Sequence, residues 1–372
     1  MTAEETGVLD AGPHDPEVEA TANGHTEEMP RVRLTPGRLL GSVVFVISIV
    51  AFLYFVLPRL LGLRDTWNRI QHGNVWWLAL AAALEVLSFL GYVVLFRAVF
   101  VRGYDRIDLR ASYEITMAGL AATRLFASAG AGGIALTAWA LRRSGMEPRL
   151  VACRMIAFMA LLYAVFMGAL VISGLGLYAG VFPGSAPFAI TVIPALFGAG
   201  VIILFLAVSL LPGDFDRLVA RWSHGGRLGR LASGAAAAPA AAASGVRTAI
   251  SLLRTRNPSL LGAVAWWGFD ISVLWATFHA FGGTPPTAVV VMSYFVGMLG
   301  NVLPLPGGIG GVDGAMIGAF SAFGITPSLA VVSVLAYRAF AFWLPTLPGG
   351  VAYLQLRRTV ARWRTAGVSS YT

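Results

Sequence analysis

The chain has 372 residues, of which 57% are hydrophobic and only 12% charged, with a mean hydropathy of +0.74. Soluble domains carry about 25% charged residues, so the composition excludes an ordinary soluble domain and indicates an all-α polytopic membrane protein. The formal charge of +9 is no nucleic-acid signal, since the 27 basic residues, all arginine, lie mostly between apolar runs, where the positive-inside bias and lipid headgroups account for them.

Residues 1–38 form an acidic stretch with a basic end. Eight acids precede Met29, and Arg31, Arg33 and Arg38 follow. This segment reads as a disordered cytoplasmic tail. It lacks the order of a signal peptide, so the first helix is expected to remain as an anchor. Apolar runs near the roughly 20 residues that a bilayer crossing needs fall at 39–58, 75–100, 150–179, 188–211, 258–281 and 328–356. No Asp, Glu, Lys or Arg occurs from Met155 to Gly213. Two further regions, 111–141 and 286–327, are apolar but interrupted by glycines. The chain divides into a first membrane half (39–211), a basic, Ala-rich cytoplasmic linker (212–257), a second membrane half (258–358) and a cytoplasmic tail (359–372). The single Cys153 excludes an intramolecular disulfide, and no spacing of Cys and His suggests a metal or cofactor site.

Arginines set the expected orientation. Arg102, Arg106 and Arg110 form one basic loop, Arg142, Arg143 and Arg149 another, and Arg357, Arg358, Arg362 and Arg364 follow the last span. The turns at 180–187 and 282–286 carry no charge, whereas the loop at 59–74, with Arg59, Arg64 and Arg69, is the exception that this scheme puts outside. With the arginine loops and both termini on the cytoplasmic side of a bacterial inner membrane, 111–141 begins and ends inside and 286–327 begins and ends outside. Each is then a broken, re-entrant hairpin. The hairpins also resemble one another. "ASAGAGGIALTAWALRRSGMEP" (127–148) and "PLPGGIGGVDGAMIGAFSAFGITP" (304–327) both run from a glycine cluster through a short helix to Gly-x-x-Pro, with Gly145 and Pro148 matching Gly324 and Pro327 at an offset of 179. About six full spans plus two such hairpins form a candidate inverted repeat, a design that places transporter sites at broken helices near the midplane.

"NVLPLPGGIGGVDGAMIGAF" (301–320), followed by "YRAFAFWLPTLPGGVAYLQLRR" (337–358), resembles the family that forms the membrane region of bacterial lysylphosphatidylglycerol synthases. Its stand-alone members are flippase-like. The resemblance covers about residues 38–360. In that family the acidic position after the glycines is usually Glu, where this chain has Asp313; the Pro and Gly-Glu pair usual in the first hairpin are missing from "ASAGAGGIAL". The resemblance implies movement of a phospholipid, aminoacylated lipid or lipid-linked precursor between leaflets.

Charged side chains at membrane depth are costly and are functional candidates by default; here they are Glu85, Arg124, Asp270, Asp313 and Arg338. Guanidinium groups match phosphate geometry, so Arg124 and Arg338 are candidate ligands of a lipid phosphate. Asp313 would organise the second break, and Gly132, Gly133, Gly307, Gly308 and Gly310 would offer backbone N–H groups at half-helix starts. Asp270 and Glu85 are candidates for ion or proton coupling. The structural alternatives are that Arg338 pairs with Asp313 or Asp270, that Arg124 pairs with Glu114 or Glu85, and that Asp313 caps a short helix beginning near Gly314. Trp76, Trp77, Trp266 and Trp267 read as an interfacial aromatic belt. No nucleophile–base pair or nucleotide loop is present, so an enzyme is not expected. The leading reading is flippase-like translocation of a phospholipid or lipid-linked anionic substrate. Its alternatives are an ion-coupled secondary transporter of a small solute, or a non-transporting membrane partner that docks a cytoplasmic enzyme.

Overall fold

The computed structural model describes residues 72–104, 106–125, 131–210, 227–302 and 308–368. The acidic tail and the span expected at 39–58 lie outside the described residues. Within them the regular elements are α1 (Val75–Phe100), α2 (Leu109–Leu125), α3 (Ala131–Arg143), α4 (Pro148–Tyr178), α5 (Phe188–Ser209) and α6 (Arg227–Arg254), then α7 (Gly262–Ala280), α8 (Thr287–Met298), α9 (Gly311–Ala322), α10 (Pro327–Arg338) and α11 (Leu344–Val368). A 3-10 turn, Pro258–Leu261, leads into α7, and a π turn, Ala339–Trp343, joins α10 to α11. Five of these stretches are long and apolar enough to cross a membrane: α1, α4, α5, α7 with its lead-in turn, and the α10–α11 run. They fall where the apolar runs place them, and α2–α3 and α8–α9 occupy the two interrupted regions.

The two halves repeat bond for bond. At the end of α3, Met146 N–H donates to Leu141 O (3.2 Å) and Gly145 N–H to Arg142 O (3.1 Å). At the end of α9, Ile325 N–H donates to Phe320 O (3.0 Å) and Gly324 N–H to Ser321 O (3.0 Å). Every partner in the second set lies 179 residues beyond its counterpart. This closure needs a left-handed residue after the helix, which Gly145 (φ 97°) and Gly324 (φ 87°) supply. Pro148 and Pro327 then occupy the first turns of α4 and α10, where a missing N–H costs no hydrogen bond.

The repeat is inverted. Asn74 N–H donates to Ala280 O (2.9 Å), and Ser88 Oγ–H donates to Trp266 O (2.9 Å). A Cβ placed on Gly262 would lie 2.5 Å from Gly91 O. Residue numbers therefore rise along α1 as they fall along α7, so these counterparts run antiparallel and their backbones touch where both helices have glycine. Each hairpin packs against the long helix of the other half, α2 on α11 and α8 on α4.

The ends of the bundle differ in charge. At one end Ser185 Oγ–H donates to Phe323 O (2.8 Å), and Gly283 packs on Leu329; the turns here carry no charge. At the other, Arg97 donates to Ser112 Oγ (3.1 Å) and Arg154 to Phe100 O (2.8 Å). There, too, Glu114 accepts from Arg110 (2.9 Å) and from Thr359 (2.7 Å), tying α2 to α11. The α2–α3 hairpin begins and ends at the arginine end, and α8–α9 at the end with the uncharged 180–187 and 282–286 turns, as the parity argument requires.

Two further features go beyond the sequence reading. The Ala-rich connection is helical over Arg227–Arg254 and packs on α4, with Cys153 Sγ 3.1 Å from Thr248 Oγ1; alanine is the strongest helix former. Trp76 is 85% exposed at the start of α1, but Trp266 and Trp267 are 8% and 7% exposed and belong to the core. Trp267 Nε1–H donates to Leu162 O (2.8 Å). The belt assignment fails for these two because they sit early in α7 but face α1 and α4 instead of lipid.

Candidate functional site

The five membrane-depth charges lie well inside a helix or at a helix break, and the fold brings them together. Glu85 is ten residues into α1, about 15 Å from its start at 1.5 Å per residue. Asp270 occupies the middle of α7. Because α1 and α7 are antiparallel neighbours, their carboxyl groups are close enough to interact. Both side chains are buried, at 1% and 5% exposure. Asp270 Oδ2 accepts two phenolic O–H groups, from Tyr294 on α8 and from Tyr337 on α10, the latter at 3.1 Å. Glu85 Oε2 and Asp270 Oδ1 accept no hydrogen bond among the described residues.

Arg124 ends α2, at the break of the first hairpin. Its Cζ lies 5.8 Å from the centre of the Phe89 ring, and it is in electrostatic reach of Glu85, Asp270 and Arg338. Its Nη1 is fully enclosed and finds no acceptor among the described residues. Arg338 ends α10, where the helix widens into the π turn; such turns are frequent at functional sites. Its Nε lies 2.7 Å from Asp313 Oδ1, and its Cζ 5.4 Å from the centre of the Phe342 ring. The Asp313 contact is an ion pair without hydrogen-bond alignment, since Oδ1 receives no well-aimed donor.

Asp313 has a second role. Its Oδ2 accepts the N–H of Gly310 at 2.8 Å, so it caps α9, which begins at Gly311, three residues before the expected start. Capping and pairing with Arg338 thus use different oxygens of one carboxylate. Of the structural alternatives, the Arg338–Asp313 pair is present. Glu114 is engaged by Arg110 and Thr359, and Arg124 instead faces Glu85.

The glycines divide. Gly310 donates to Asp313. Gly308 is buried against Asn301, and Gly133 is buried where a Cβ would meet Thr123 Oγ1 at 2.1 Å, so it holds α2 against α3. Gly132 is half-buried at the start of α3, and Gly307 lies outside the described residues. Sequence reasoning passed over Tyr294 and Tyr337, which are both fully buried and bind the same carboxylate oxygen. Their signal was a phenol in an otherwise apolar run, adjacent in one case to Arg338. Among the described residues no group of three or more His, Cys, Asp or Glu side chains is placed to hold a metal ion.

The cluster does not follow the repeat. At an offset of 179, Asp313 corresponds to Ile134 and Arg338 to Met159. The backbone is symmetric and the charge is not, so the site resides at the junction of two similar scaffolds with different side chains.

A UPF0104 membrane protein of Methanothermobacter thermautotrophicus is 29% identical over 109 residues, which make up 29% of this chain and 31% of that protein. The match thus spans about a third of that relative's length. No solved structure matches the chain. The model of the family described as the lysylphosphatidylglycerol synthase transmembrane region matches residues 39–349, from the expected first span through the second broken hairpin and into α11, and the chain belongs to that family.

Proposed function

We propose that this protein translocates a phospholipid or lipid-linked anionic headgroup between membrane leaflets, with Arg124 and Arg338 as ligands of its phosphate. The observation that carries this reading is the enclosed Nη1 of Arg124, a guanidinium donor without an acceptor among the described residues, at the break of one inverted hairpin. A charge at this depth costs roughly 2.5–3.5 kcal/mol on insertion scales, and burying a donor without a partner adds about 1–3 kcal/mol. A group that arrives only during transport would offset both. Arg338, at the end of α10, pairs with Asp313 beside the α9 break, and the two arginines are near enough to interact. Planar guanidinium groups take phosphate oxygens in pairs. The site orients the headgroup through Arg124, while Asp313 holds Arg338 in position until the anion competes for it. Family membership supports a lipid as cargo, and the multi-pass bundle supports a bacterial inner-membrane location with the arginine end cytoplasmic.

The test is translocation of headgroup-labelled anionic and zwitterionic phospholipids in proteoliposomes, comparing wild type with Arg124→Gln and Arg338→Gln. The expected result is movement that favours one headgroup, falls at least tenfold in Arg124→Gln and is reduced in Arg338→Gln. Equal movement in all three proteins would overturn the reading. So would no movement by folded wild-type protein under an imposed proton gradient together with stabilisation by a soluble anion, which would favour a small-solute carrier.

A further inference from the structure

The buried site holds three carboxylates, Glu85, Asp270 and Asp313, against two guanidinium groups, Arg124 and Arg338. Residues 126–130 and 303–307, next to the two breaks, carry no charged side chain, nor does the span 39–58. Among the described residues the site is therefore one positive charge short of neutrality. A lone excess charge in low dielectric is costly, and two carboxyl groups in contact do not both stay ionised without a partner between them. The deficit has an address. Asp313 has Gly310 N–H on one oxygen and the Arg338 ion pair on the other, whereas Glu85 Oε2 and Asp270 Oδ1 are buried, have neither a hydrogen bond nor an ion pair among the described residues, and belong to two neighbouring carboxyl groups.

We propose that the Glu85–Asp270 pair holds one exchangeable proton, and that this proton is linked to anion binding at Arg124; this deepens the translocation reading and rests on it for the second part only. The two phenols on Asp270 Oδ2 make that carboxylate the acceptor, so the proton resides on Glu85 and bridges to Asp270 Oδ1. The groups facing Glu85 are Asp270 on α7, Arg124 on α2 and Tyr337 on α10. When the proton leaves for water, the Glu85 carboxylate pairs with Arg124. When an anionic headgroup takes Arg124, Glu85 recovers a proton. One proton thus enters for each anion bound, and no other co-reactant is needed. A metal ion in place of the proton would need a fuller oxygen cage than two carboxyl groups and two phenols provide, and among the described residues no group of three or more His, Cys, Asp or Glu is placed to hold one.

The first experiment is infrared difference spectroscopy of the purified protein in lipid nanodiscs, in light and heavy water. A deuterium-sensitive carboxylic-acid carbonyl band is expected at neutral pH in wild type, lost in Glu85→Gln and retained in Glu114→Gln. Asp270→Asn serves as the second variant, and its band should shift because the acceptor has changed. The second experiment imposes a pH gradient on proteoliposomes: it should accelerate lipid movement by wild type and leave Glu85→Gln unaffected. A wild-type spectrum without the band, or a band abolished by sodium, would overturn the proton site. Lipid movement by wild type that ignores the gradient would overturn the linkage. The band present without any lipid movement would instead sink the translocation reading and leave the proton site standing.

Discussion

Asp313→Asn separates two roles that one carboxylate performs through different oxygens. Asn keeps a carbonyl oxygen for the Gly310 N–H, 2.8 Å away in the wild type, and so preserves the α9 cap. It removes the charge that lies 2.7 Å from Arg338 Nε. Both side chains are shielded from solvent, at 13% and 5% exposure for Arg338 and Asp313, so screening is weak. Breaking a buried pair by removing one partner costs about 3–5 kcal/mol. Losing a cap costs about 1 kcal/mol. The expected order of destabilisation is therefore Asp313→Ala, at about 4 kcal/mol or more, then Asp313→Asn at about 3 kcal/mol. The double variant Asp313→Asn/Arg338→Gln should recover most of the loss, because it leaves no unpaired charge. The assay is denaturant-induced unfolding in detergent micelles, followed by tryptophan fluorescence. A cost for Asp313→Asn no larger than that of a lone cap would refute the ion-pair argument, as would a double variant that costs the sum of the singles.

Three other outcomes follow from the scaffold. Gly262→Ala drives a methyl group against Gly91 O, 2.5 Å away, and Leu95 N at 2.7 Å; overpacking against backbone costs about 1–3 kcal/mol, and a thermal midpoint equal to wild type would contradict the close α1–α7 contact. Gly145→Ala and Gly324→Ala each force a side chain into left-handed backbone at φ 97° and 87°, which costs about 1–2 kcal/mol; their unfolding free energies should fall by similar amounts because the two closures are equivalent. In a Cys153→Ser background, single cysteines at Thr284 and Pro327, both exposed, should react with an impermeant thiol reagent from one side of the membrane, and one at the exposed Gly145 only from the other. Reaction of all three from one side would undo the inverted hairpins.

Much of the architecture was legible because a bilayer imposes simple rules on sequence. A crossing must be long and nearly free of charge, so α1, α4, α5 and α7 could be read directly from hydropathy. Arginine loops and charge-free turns have opposite preferences for the two faces, and counting them required both interrupted regions to be hairpins. Gly-x-x-Pro recurred at an offset of 179 because only glycine closes α3 and α9 in this way and only a helix start accepts the proline. The candidate charges were visible too, since each carries a desolvation cost that sequence alone announces.

Which of those charges meet was beyond the sequence, because that depends on helix rotation and packing partners that no local pattern encodes. Trp266 and Trp267 illustrate the gap: their position along α7 suggested an interface, while the face they occupy put them in the core. Glu114 and Arg124 share α2, yet one is bound at the arginine end by Arg110 and Thr359 and the other reaches the midplane cluster. Tyr294 and Tyr337 gave no warning that both would bind one oxygen of Asp270. Sequence by itself determined the spans, their breaks and the existence of a repeat. Only the tertiary structure decided that the repeat is antiparallel at Gly91 and Gly262, and that this contact brings Glu85 to Asp270, since side chains 185 residues apart meet only when two backbones touch.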